Sequence, residues 1–142
     1  MQGKRIPLKQ MHFVRVDPGE ELVQAITQYA EDQHIQTGFV SFIGAMRNMK
    51  IIVPGNADKV QPVVREFFTK SEIIGNGTIT MKDGKPFAHL HFMRADDQYH
   101  VTGGHLVCGE VIIVVEVVII EGEGEIHREL DPITLLHKMV LE

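Results

Sequence analysis

Apolar and polar residues alternate along Met11–Val16, with His12, Val14 and Val16 on one side, the signature of a half-buried strand. Asp17-Pro18-Gly19-Glu20 then reads as a helix start. Asp17 can accept from free backbone donors, Pro18 suits the first helical position, and Glu20 stands where a capping-box acid belongs. Leu22, Ile26, Tyr29 and Ala30 recur at helical spacing with Val23 beside them. This predicts one long amphipathic helix from Pro18 to about His34, packed on a sheet.

Beyond Gly38 the pattern becomes β. Phe39–Met46 and Met49–Val53 are short and apolar, with Arg47-Asn48 expected as a turn between them. A polar loop follows over 54–62, then strands at Val63–Phe68 and Glu72–Met81. Gly75 and Gly77 in the latter imply a bulge or a close backbone approach. Lys82-Asp83-Gly84-Lys85 is a hairpin turn, because Asp-Gly readily takes positive φ. Pro86–Arg94 and His100–Val107 form the next strands around the loop Ala95–Gln98, and Glu110–Glu121 is a long strand ended by Gly122–Gly124. Ile126–Leu130 is expected as a brief edge strand, and the C-terminal segment receives no assignment. The fold class is therefore α+β: a mainly antiparallel sheet with one long amphipathic helix, in a single domain over 1–142. Residues 1–10 are read as an N-terminal segment free to be flexible.

Val111–Ile120 is apolar at odd and even positions alike, apart from Glu116. A strand apolar on both faces needs two covers. The helix supplies one, and a second copy of the chain is the economical source of the other, so a homo-oligomer is expected.

Candidate chemistry lies in the histidines. His89-Leu90-His91 on a strand sends both imidazoles to one face and Ala88, Leu90 and Phe92 to the core. If the next hairpin pairs residues whose numbers sum to about 194, His105 falls opposite His89 and diagonal to His91, close enough for three imidazoles to share one ion. A one-residue slip would turn His105 to the wrong side. Three neutral imidazoles suit Zn²⁺ or another first-row divalent metal, with a coordination position left open for a small-molecule ligand or Lewis-acid chemistry. Gly103-Gly104 clears side chains beside the site, which leaves room for a ligand or a neighbouring subunit to enter. His12, His34, His100, His127 and His137 lack such partners and are read as structural or solvated.

Glu116, charged among apolar neighbours, has two readings. With Arg47 it orients a histidine or touches the bound ligand; otherwise it pairs with Arg47 or Arg65 inside a subunit contact. Glu72 is expected as an exposed strand-end carboxylate, and Cys108 as an inert thiol with no His-Asp arrangement around it.

Charge and composition narrow the classes further. A net charge of −5 with scattered Lys and Arg is the wrong sign for a domain that grips DNA alone. One cysteine excludes an intrachain disulfide and suits the cytoplasm. The longest apolar run is about half the roughly 20 residues that a membrane helix needs, so no membrane association is expected.

The ordered set Phe13-Val14-Arg15-Val16 with Pro18-Gly19-Glu20, Val40-Ser41-Phe42-Ile43-Gly44-Ala45, Glu72-Ile73-Ile74, Gly77-Thr78-Ile79, Asp83-Gly84, His89-Leu90-His91 and Gly103-Gly104-His105-Leu106 resembles the plants-and-prokaryotes-conserved (PPC) domain, stand-alone prokaryotic type. The resemblance covers about Met11 to Arg128. It implies a sheet-based fold, a homotrimer, and a metal on His89, His91 and His105. It carries no established reaction. In plant relatives the domain supports assembly and nuclear function while AT-hooks hold DNA, which makes a DNA-associated regulatory or assembly module the alternative. This chain has no Arg-Gly-Arg-Pro hook core, so direct DNA contact is not expected. Gly84, His89, His91, Asp96 and Gly103 also approximate the first metal motif of the cupin barrel, with the spacing from Gly84 one short, Asp in the place of Glu, and no second motif following.

Overall fold

The computed structural model describes residues 1–53 and 63–141; the loop expected over 54–62 lies outside the described residues. Strand β1 runs from Leu8 to Val16, so the last part of the N-terminal segment is sheet and not a free tail. The helix, α1, spans Leu22–Asp32 and is short, starting four residues after Pro18. Its late start is set by a contact distant in sequence. Gly19 takes φ +89° and donates to the Val111 carbonyl, while Glu20 accepts from Val111, which ties this segment to the sheet as a turn. Glu20 does reach back to the Asp17 N–H as a capping acid would. The cap itself falls to Glu21, whose carboxylate accepts from Val23 and Gln24. At the other end His34 adopts φ +58° and donates to the Glu31 carbonyl while Ile35 donates to Ala30, a Schellman stop without glycine.

Six further strands follow in β2 (Gly38–Val53), β3 (Val63–Phe67), β4 (Ser71–Lys82), β5 (Lys85–Ala95), β6 (Val101–Gly122) and β7 (Arg128–Leu130); β8 (His137–Met139) closes a small C-terminal hairpin with β7. The turn expected at Arg47-Asn48 is instead an irregularity inside one 16-residue strand, with Asn48 at φ +49°. Both side chains bond the Glu110 carboxylate on β6, which keeps the chain paired through the kink. Likewise, the two strands expected at 100–107 and 110–121 are one strand of 22 residues.

Its length lets β6 serve three neighbours. Val101–His105 pairs with β5, Val115–Gly122 pairs with β1, and β2 follows the opposite edge. Because β5 pairs with β4 and β4 with β2, strands β6, β5, β4 and β2 close into an antiparallel ring. Closure leaves an interior face filled by Val40, Phe42, Met46, Ile79, Leu90, Phe92, Leu106, Val115 and Ile119. Leu22, Ile26 and Ala30 seat α1 against β5 and β6; burying Leu22 and Ile26 contributes about 2 kcal/mol each.

Odd positions of the 111–120 run are buried except Ile113, which is 65% exposed. There, three residues, Ile112–Val114, stand opposite Ala45 alone, and the bulge turns Ile113 outward. Even positions look outward beside Met11, Phe13, Phe39 and Ile43. Among the described residues, no helix is long and apolar enough to cross a membrane.

Candidate metal centre

Alternation along β5 buries Ala88, Leu90 and Phe92 and leaves His89 and His91 on the outer face of the ring. The hairpin to β6 pairs residues whose numbers sum to 196, so His105 lies directly opposite His91 and diagonal to His89. The expected register was two residues short. Asp96 accounts for the difference: its carboxylate accepts from Gln98 and His100, and Tyr99 takes φ +62°, which moves the turn toward β6. An even shift preserves sidedness, so all three rings still share a face.

The three rings converge. Centroid separations are 5.1 Å (His89–His91), 4.9 Å (His89–His105) and 5.5 Å (His91–His105), and one ring nitrogen from each lies within 4.8 Å of the others. These residues fit a first-row divalent ion by number, by donor type and by approach. Burial, reinforced by the charge of Arg128, lowers the His89 pKa to about 4, and burial also lowers that of His105. Both rings are therefore neutral near pH 7 with a lone pair to give.

Glycines set the floor of the site. A Cβ on Gly77 would lie 2.0 Å from the His89 carbonyl oxygen, and one on Gly103 would lie 2.1 Å from that of Phe92. Space at Gly103-Gly104 is thus taken up by the chain's own strands and does not open a port for a ligand. Asn76 and Thr78 on β4 stand opposite His91 and His89.

Glu116 and Arg47 are not brought to the histidines. Glu116 is exposed between Arg15 and Ile43, roughly 35 Å along β6 from His105 at the rise of a strand. Arg47 pairs with Glu110 at 2.6 Å, so neither the histidine-orienting role nor the Glu116–Arg47 ion pair is formed within this chain. The buried acid of β6 is Glu121, 2% exposed, held by Lys9 and by His12, whose other nitrogen meets the Tyr29 hydroxyl. Glu72 is exposed as expected, and Cys108 is a partly buried free thiol.

Arg128 on β7 was not identified from the sequence. Its guanidinium donates to Thr80 and Thr78 and to the His137 carbonyl, and lies 3.4 Å from Nδ1 of His89. The docking of 126–127 on Met81 helps to bring it there, and no periodicity or motif marks that contact.

A pH dependence follows for metal-free protein. The folded-state pKa of His89 lies below its usual 6.5, so between about pH 6.5 and 4 the unfolded chain binds more protons. Stability should be full above that window and fall as pH drops through it. Denaturant midpoints in the presence of chelator should decline from pH 7 to 4.5 for wild type, and less for His89→Asn.

Residues 6–123 match the family model of the Plants and Prokaryotes Conserved (PCC) domain. The fold superposes on a plant- and prokaryote-conserved (PPC) protein of Pyrococcus horikoshii with TM-score 0.89 at 30% identity, covering 100% of this chain and 99% of that one. A protein of Archaeoglobus fulgidus described as metal-containing gives TM-score 0.90 at 32% identity, covering 99% of each. Among curated proteins, the bifunctional protein GlmU of a Synechococcus strain is 31% identical over 124 residues; these are 85% of this chain but 19% of that protein.

Proposed function

Because the chain belongs to the Plants and Prokaryotes Conserved (PCC) domain family, we propose that it is a metal-binding domain holding one divalent first-row ion, zinc foremost, on His89, His91 and His105. The convergence of three imidazole nitrogens within 4.8 Å carries this reading. That a relative of 32% identity is described as metal-containing adds to it. Such an ion, when bound, supplies a Lewis acid with an open position, able to polarise a carbonyl or acidify a water. The chain's own contribution is to hold the three rings on a rigid strand pair and, through burial, to keep His89 and His105 unprotonated. Elemental analysis after exhaustive dialysis should find close to one such ion per chain. Protein that remains folded and takes up none would overturn the reading.

We further propose that the working form is a homotrimer. Phe13, 77% exposed, and Ile43, 52% exposed, lie with Met11, Phe39 and Val118 on one outer sheet face, larger than single scattered side chains would make. The number three comes from the family resemblance. Wild type should sediment as a trimer, and Ile43→Asp, which sets a charge in that face, as a monomer at micromolar concentration. A variant with unchanged mass would remove this face from the assembly.

A further inference from the structure

We propose that Arg128 makes this centre selective for a small oxyanion, a carboxylate or phosphate group that spans the open metal position and the guanidinium. The inference rests on the metal reading above and adds the class of ligand.

Three neutral imidazoles leave the two positive charges of a divalent ion uncompensated, and Arg128 adds a third within 3.4 Å of His89. Lys82 lies beside the same ring as Arg128, at 5.2 Å and 5.5 Å respectively from the centre of Phe87, which in turn stacks on His89. Among the described residues, neither cation has a carboxylate partner. Two cations without a carboxylate partner beside a divalent ion, one of them anchored by Thr78, Thr80 and the His137 carbonyl, favour an anionic ligand.

An imidazole bound to metal through one nitrogen carries hydrogen on the other. The Arg128 N–H that now faces Nδ1 of His89 can be accepted only while that nitrogen has a free lone pair. Metal on His89 takes that lone pair, or else requires Nδ1 to be protonated, and in either case the contact ends. One guanidinium N–H is then freed beside the ion, while Thr80, Thr78 and the His137 carbonyl still anchor the group. A planar fork next to a Lewis acid suits two-point capture of an oxyanion. Arg128 lies beyond the 6–123 match, on the C-terminal hairpin.

The test uses full-length protein loaded with Co²⁺, whose visible absorption reports changes at the ion. Metal content is measured first, then acetate, inorganic phosphate and neutral imidazole are titrated separately. Wild type should bind acetate or phosphate saturably, and the tighter of the two identifies the anion. Arg128→Gln should weaken that anion by about tenfold or more while retaining one Co²⁺ and wild-type affinity for imidazole. Arg128→Lys, which keeps the charge and the tether but loses the fork, should fall between them and guards against a folding defect in Arg128→Gln. Wild type without bound Co²⁺ overturns the metal reading and this inference together. Bound Co²⁺ with anion affinity indifferent to Arg128 overturns this inference alone.

Discussion

Replacing His105 with Ala should release the metal and leave the protein folded. Losing one of three imidazoles should weaken binding by more than about 100-fold, beyond the usual cost of removing a group that merely supports a ligand. Stability of the metal-free form should change by less than about 1 kcal/mol, because the residue faces outward and its buried neighbour Leu106 is untouched. His89→Ala and His91→Ala should behave alike. Competition with a chromophoric chelator gives the affinity, and circular dichroism the fold. Loss from one variant only, with full affinity in the other two, would mean that the three do not act on one ion.

Gly77→Ala should be as damaging to the site without touching a ligand. Its new methyl would meet the His89 carbonyl oxygen at 2.0 Å and a Leu90 methyl at 2.8 Å, so β4 and β5 must separate where they support the histidines. The expected cost is about 3 kcal/mol, at the upper end of the range for overpacking, together with reduced metal affinity. Gly84→Ala is the control: Gly84 has open space around it, and its penalty is confined to its positive φ in the turn. Thermal unfolding of both variants with and without chelator separates damage to the fold from damage to the site. Wild-type behaviour of Gly77→Ala would show that the strand spacing beneath His89 is not critical.

Local pattern made much of this molecule legible. His-x-His on a strand gives sidedness regardless of register, and Asp-Gly gives the β4–β5 turn. What failed was set by tertiary contacts. The helix start moved because Gly19 and Glu20 bond Val111, nearly a hundred residues away, which no capping signal at Asp17 can reveal. Arg47-Asn48 looked like a turn until Glu110 held both within the sheet. Glu116 drew attention as the lone charge in an apolar run, yet outward positions of β6 tolerate charge. The acid that is buried, Glu121, stands at the end of the run, where nothing in the sequence distinguishes it from a strand terminus. Arg128 is the most consequential omission, because a hairpin with no periodic signature delivers it to the histidines.

X-ray absorption at the edge of the bound metal tests the central claim most directly. The spectrum should require three nitrogen donors near 2.0–2.1 Å with the outer-shell scattering of imidazole rings, and that pattern should disappear in His89→Ala. A bound ion whose spectrum shows sulfur, or oxygen ligands without imidazole scattering, would contradict the assignment of His89, His91 and His105 as its holders.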